Sequence, residues 1–427
     1  LYLKIGEAIA AADSVRETLN SSQAELSRIE AIAALAPPAA ADIQDQWETL
    51  HQRGGHTWRI EPIELRDRTR NFPYGHRINA DLYIPTAPAI RRDSHAIPIA
   101  KLPATPLIVI SHGVGSDRRT FYYLAEYLAS HGFAVLVPEH AGSNAKHLQA
   151  LLQGSENEIA KPSEFDDRPR DISLLLDEVT RRIAFDSNLV GQIDSSRTIV
   201  IGHSFGGYTA LALAGATVDT NSLRQTCIDL DQQWSWNLSL LLQCRLLTLV
   251  DAEPLMPRWR DERVQGVILI SPIGSAIFDD HGLADLDLPV LMLAGTADTI
   301  APAYLEQIPL FERLPMTDRQ LVLWRGGTHF SSIAVPPGDR PSFSLPPSLV
   351  GPDPQIAHRH LKAISLAFAR AHLMGNPDAQ DLLAPNALAA LGNTTLPIVA
   401  IDSTTVDRNS GGQPIPEIST LSEDELD

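Results

Sequence analysis

The chain of 427 residues holds only two cysteines, Cys227 and Cys244. Neither stands near a histidine suited to activate it, so cysteine nucleophile chemistry is not expected. No His/Cys cluster has metal-ligand spacing, and neither metal nor organic cofactor is expected. Basic residues are few, 34 Lys and Arg against 52 Asp and Glu, giving a formal net charge of −18. Such a chain is repelled by nucleic acid and by anionic membrane surfaces, so neither is expected as a partner. No apolar run reaches the length of a transmembrane helix. No secretory signal is visible, but the chain starts at Leu1 rather than methionine, which leaves room for a leader removed beforehand. Residues 115–119 lack the Gly-Lys-Ser/Thr of a phosphate loop, and no internal repeat is present.

What the sequence does contain centres on Gly202-His203-Ser204-Phe205-Gly206-Gly207. An apolar, β-branched run at 198–201 precedes it, and a helical pattern at 208–214 follows. A strand turning into a helix through Gly-x-Ser-x-Gly is the nucleophile elbow of the α/β-hydrolase fold. The turn is too tight for a Cβ on either side of the serine. The helix start behind Ser204 offers N–H groups and a positive dipole end to a developing oxyanion.

The surrounding pattern fits a mostly parallel sheet flanked by helices. Residues 1–50 read as a helical extension, one or two amphipathic helices with a break at Asn20-Ser21-Ser22 and a capping box from Ser22 to Glu25. Residues 51–400 read as the main domain. An antiparallel pair at 58–65 and 78–84 opens the sheet, and the apolar runs 107–110, 134–137, 198–201, 267–270, 290–294 and 321–324 read as buried strands. Pro169 is placed at the first turn of a helix over 170–182. Residues 138–168 form one insertion, a loop over the sheet's carboxyl edge. Residues 217–262 form a second, helical one, read as a cap. A proline-rich surface loop is expected at 334–354, then a helix to about 374 and one more over 376–391. Residues 401–427 read as an acidic tail, frayed from Ile415 to Asp427.

A serine needs a base, and the base needs an orienting carboxylate. In this fold they follow the serine in the order Asp or Glu, then His, each on a loop after a strand. Asp298 follows the 290–294 run and His329 follows the 321–324 run, in Gly326-Gly327-Thr328-His329. Asp279 and Asp280 are rival acids. The oxyanion donors are expected to be the backbone N–H groups of Phe205 and of Val114, in His112-Gly113-Val114-Gly115. His112 and His203 read as packing or hydrogen-bonding residues. Trp234 and Trp236, between the cysteines, are candidates for the substrate pocket, with cap core as the other reading. A Cys227–Cys244 disulfide would staple the second insertion and imply an oxidising, periplasmic or secreted location; two buried thiols in a helical hairpin is the alternative.

The runs Ser111-His112-Gly113-Val114-Gly115, Leu128-Ala129-Ser130-His131-Gly132-Phe133-Ala134-Val135 and Glu139-His140, with the elbow, resemble plasma-type platelet-activating-factor acetylhydrolases. Asp298-Thr299-Ile300-Ala301-Pro302 and Gly326-Gly327-Thr328-His329 are similar to bacterial cutinase-like and polyester hydrolases and to dienelactone-hydrolase relatives. The resemblance covers roughly residues 58–335 and implies a serine carboxylic-ester hydrolase without metal or cofactor. The acetylhydrolases carry their acid after the strand that here ends in Ile270-Ser271-Pro272, where no Asp stands; the departure favours Asp298. The expected activity is hydrolysis of small or medium acyl esters through an acyl-enzyme, on a small-molecule partner, by a monomer or small homo-oligomer. A lipase or phospholipase A2-type acetylhydrolase, a polyester or phthalate-ester hydrolase, and a catalytically silent binding protein on the same fold are the alternatives.

Overall fold

Strands with apolar residues at consecutive positions must be covered on both faces, and six here are. The computed structural model describes residues 2–71, 73–86, 104–186, 189, 192–232, 235–252, 259–315, 318–333 and 347–405. Among them are strands β1 (Thr57–Asp67), β2 (His76–Thr86), β3 (Thr105–Ser111), β4 (Ala134–Glu139), β5 (Ile193–His203), β6 (Val264–Ile270), β7 (Val290–Gly295), β8 (Arg319–Trp324) and β9 (Ile398–Asp402). They form one nine-stranded sheet in the order β1-β2-β4-β3-β5-β6-β7-β8-β9. The six from β4 through β8 run parallel, while β1, β2 and β9 are antiparallel to their neighbours.

Alternate side chains divide the core. Val109, Val200, Leu269, Met292 and Leu323 face the helices Glu164–Phe185, Phe205–Ala214 and Gln307–Arg313. Ile110, Ile201, Ile268, Leu293 and Val322 face the helices Tyr122–Ser130 and Pro354–Met374. Register brings Ser111 beside Gly202 and His203 beside Ile270. The carboxyl ends of the central strands therefore meet along one edge, where ligands bind in open α/β sheets.

Several expectations change. The N-terminal segment is one helix, Tyr2–Ala33, without a break. Ser22 lies inside the helix rather than at its start, and Glu25 pairs with Arg28 (3.0 Å) one turn on, so no capping box forms. The last turns of that helix bury Ile29 and Ile32 in the main core. The helix containing Pro169 starts at Glu164, which puts the proline inside it. A proline leaves the carbonyl four residues back without its helical donor; here the Tyr208 hydroxyl takes that place on Phe165 (3.1 Å). Residues 376–391 form two short helices, Pro377–Asp381 and Pro385–Leu391, and the sheet gains β9 where the tail was expected to begin. The short run Ile398–Asp402 pairs with β8 from Gln320 to Trp324. The expectations for most of the 334–354 loop, for Trp234 and for residues 406–427 lie outside the described residues.

Candidate active site

At the end of β5 the chain reverses within a few residues. A Cβ on Gly202 would lie 2.0 Å from the carbonyl oxygen of Gly206, so only glycine fits. Ser204 is held at φ 54°, ψ −115°, a conformation that non-glycine residues seldom adopt. The surroundings over-determine it. Its N–H donates to the Ile270 carbonyl (2.9 Å), and its own carbonyl accepts from Gly207 (2.8 Å) and Ile273 (3.3 Å). Strain retained in this way is typical of functional turns. Phe205 opens the helix Phe205–Ala214, so its N–H is among the first-turn donors without an intrahelical acceptor.

The loop after β3 runs directly against this turn. A Cβ on Gly113 would meet His203 Nδ1 at 2.8 Å and the Ser204 Cβ at 3.1 Å. Val114, the next residue, is partly exposed.

Asp298 and His329, 31 residues apart in sequence, come together at the same edge. His329 Nδ1–H donates to Asp298 Oδ2 at 2.7 Å, and both residues are buried. The other carboxylate oxygen accepts from the N–H groups of Ile300 (2.9 Å) and Ala301 (2.8 Å). With Nδ1–H committed to a carboxylate, the neutral ring carries its free lone pair on Nε2, the tautomer of a general base. His203 Nε2–H donates to the His329 carbonyl (3.0 Å), and the two rings lie 5.0 Å apart. The residue before Ser204 thus holds the backbone of His329. Burial, then the neighbouring His329, pushes His203 down to about 3. His112 is likewise held at about 3 by burial and by Arg168. Both are neutral hydrogen-bonding residues at pH 7.

The rival acids are elsewhere. Asp279 accepts from the Gly282 N–H (2.7 Å) at a short helix start, and Asp280 lies 3.7 Å from Arg313 with an exposed side chain. Trp236 is 38% exposed. Cys227 and Cys244 form a disulfide, with Cα atoms 5.7 Å apart.

Two buried charged residues belong to this region and were not foreseen from sequence. Arg168 is fully buried: it donates to the His112 carbonyl (2.8 Å) and to Ser143 Oγ (2.6 Å), pairs with Glu164 (3.2 Å), and lies 4.3 Å over the Phe205 ring. The Gly115 N–H in turn donates to the Ser143 carbonyl (2.8 Å). One guanidinium therefore fixes the β3 loop and packs on the residue after Ser204. Their i, i+4 spacing on a helix is the signal that could have revealed the pair, but that stretch reads as loop. The second residue is Glu306, also fully buried.

A mostly parallel sheet with a strained Gly-x-Ser-x-Gly turn and a carboxylate–imidazole pair at its carboxyl edge is the arrangement of α/β-hydrolases. The sequence matches the alpha/beta hydrolase family over residues 108–404, well over half of its length, and the chain belongs to that family. Among curated proteins it is similar to platelet-activating factor acetylhydrolase of Canis lupus familiaris, 33% identical over 25% of this chain and 31% of the canine protein. The Bos taurus acetylhydrolase is 30% identical over the same shares. Cutinase of Thermobifida alba is 24% identical over 52% of this chain and 53% of the cutinase. The chain thus spans about a third of the length of the acetylhydrolases and about half that of the cutinase. These relatives support ester hydrolysis in general terms. No described helix is long and apolar enough to cross a membrane.

Proposed function

We propose that the chain is a serine carboxylic-ester hydrolase acting on esters with small or medium acyl groups. The observation that carries this reading is the Asp298–His329 hydrogen bond of 2.7 Å, at the same sheet edge as the strained Ser204 turn. In the reaction His329 Nε2 takes the Ser204 hydroxyl proton as the oxygen attacks the ester carbonyl. Asp298 keeps the imidazole oriented and stabilises the imidazolium. The negative charge gathers on the carbonyl oxygen, where the N–H groups of Val114 and Phe205 receive it. Collapse of the tetrahedral intermediate expels the alcohol, protonated by His329, and leaves an acyl-Ser204. Water, deprotonated by His329, then releases the acid.

The 217–262 insertion acts as a cap in this reading, with Trp236 and Trp234 as candidates for contacts to the acyl or alcohol group. The Cys227–Cys244 disulfide supports an oxidising location, periplasmic or extracellular.

Hydrolysis of p-nitrophenyl acetate through laurate by the parent and by Ser204→Ala tests the proposal. The expected result is turnover by the parent, highest on the shorter chains, and its loss in a variant with an unchanged melting temperature. Turnover retained by Ser204→Ala would overturn it.

A further inference from the structure

Glu306 is a carboxylate with no exposed surface and, among the described residues, no cationic partner. Burying an uncompensated charge is costly unless hydrogen bonds replace its water. Here they come from two separate segments, and the carboxylate itself stands on a third. From the insertion, Asn237 Nδ2 donates at 2.5 Å, Ser239 Oγ at 3.0 Å and Gln243 Nε2 at 3.0 Å. From the loop after β6, the N–H groups of Gly274 and Ser275 donate at 2.5 and 2.8 Å, and Ser275 Oγ at 2.7 Å. The third segment is its own, the stretch from Asp298 to Glu306 that follows β7.

Each of these segments also reaches the proposed catalytic groups. The Ser239 N–H donates to the Ile300 carbonyl (2.9 Å), and the Ile300 N–H donates to Asp298 Oδ1 (2.9 Å). In the loop after β6, the Ile273 N–H donates to the Ser204 carbonyl (3.3 Å), and Gln307, adjacent to Glu306, donates to the Pro272 carbonyl (2.8 Å). Gln243 also accepts from the Ala276 N–H (2.9 Å), which joins insertion and loop a second time. The carboxylate therefore stands where the supports of the acid, the supports of the nucleophile and the insertion cross.

We propose that Glu306 is a positioning residue that locks the insertion to both loops and so fixes the Asp298–His329 pair relative to Ser204. The proposal rests on the reading of Ser204, His329 and Asp298 as the reacting groups. In this role the insertion is an anchored wall of the site, not a free lid.

Glutamine at 306 has nearly the same shape but replaces one acceptor oxygen by a donor. In one orientation that donor faces the Gly274 and Ser275 N–H groups; in the other it faces the Asn237 amide, and the Ser239 and Ser275 hydroxyls must turn to accept from it and give up the bonds they donate to Glu306. The test is Glu306→Gln, with active sites counted by a fluorophosphonate label and kinetics measured well below the melting temperature. The expected result is a kcat per labelled site lower by about tenfold or more, with KM moved much less, because misplaced reacting groups lose rate before they lose binding. The paired change Glu306→Gln with Gln243→Glu restores the acceptor one side chain away and is expected to recover most of the loss. A Glu306→Gln protein that melts earlier yet keeps the parental kcat per labelled site would overturn the proposal, since that is the signature of a merely structural residue. If Glu306→Gln does not fold, Asn237→Ala, which removes one donor from the insertion side, carries the same test: kcat several-fold lower supports the proposal, and an unchanged kcat overturns it. A parent that neither labels nor turns over ester would instead contradict the underlying assignment of Ser204.

Discussion

The Ser204 turn and the segments around it are held by different means. At the turn the backbone does the work. Gly202 permits an approach no side chain would allow, and β5 and β6 fix Ser204 by main-chain hydrogen bonds. Around it, the β3 loop and the 217–262 insertion depend on single buried charged side chains, Arg168 and Glu306, each reaching several loops at once. Backbone placement resists change in any one side chain. Placement by a buried charge concentrates the same task in a few atoms, and its loss leaves polar groups stranded.

Arg168→Met should have the largest effect. Burial already draws the guanidinium down to about 10, with Glu164 opposing the shift. Removing it leaves Glu164 buried without a cation, a loss of about 3–5 kcal/mol by analogy with other broken buried pairs. The His112 carbonyl would be released with it. Urea denaturation should register the lost stability, and ester turnover per labelled site should fall as well. Adding Glu164→Gln should return part of the stability. A single variant as stable as the parent would show that the charge pair does not hold the loop.

A smaller effect comes from pH. An unfolded histidine titrates near 6.5, whereas His112 and His203 are held at about 3 by burial. Below pH 6.5 the unfolded chain takes up protons that these native rings refuse. Their contribution to stability is complete above that pH and is lost as the pH falls from 6.5 towards 3. Each costs about 1.4 kcal/mol per pH unit in that window. Denaturation midpoints at pH 7.5, 6 and 5 should decline accordingly, and His203→Gln, which keeps a donor for the His329 carbonyl, should flatten the decline. An unaltered slope in that variant would count against the neutral, buried state of His203.

The smallest effect has the opposite sign. Ser204→Gly removes the side chain that makes φ 54° unfavourable, and should raise stability by about 1 kcal/mol while abolishing turnover. A lower melting temperature would mean that the Ser204 side chain, not only the backbone, stabilises the turn.

Which parts of the molecule were legible in sequence follows from the same contrast. The elbow, the buried strands and the order Ser204, Asp298, His329 all leave local marks: a glycine pair, a β-branched run, a residue just past a strand. The paired cysteines were legible too, as one of two readings. Strand β9 was not, because five residues of mixed apolar character become a strand only when β8 offers its edge. The start of the helix at Glu164 was hidden by Pro169, whose freed carbonyl finds Tyr208 39 residues later than the proline itself. Arg168 was missed because the i, i+4 pair it forms with Glu164 lies in a stretch that reads as loop, and its other partners lie in other segments. Glu306 was missed because its partners all lie in other segments, and nothing within a few residues sets it apart from a surface charge.

The most direct test of the central assignment is fluorophosphonate labelling of the parent followed by peptide mapping. One adduct is expected, on Ser204, formed rapidly in the parent and at a rate reduced by orders of magnitude in His329→Ala. No adduct on a folded parent, or an adduct on a different serine, would contradict it.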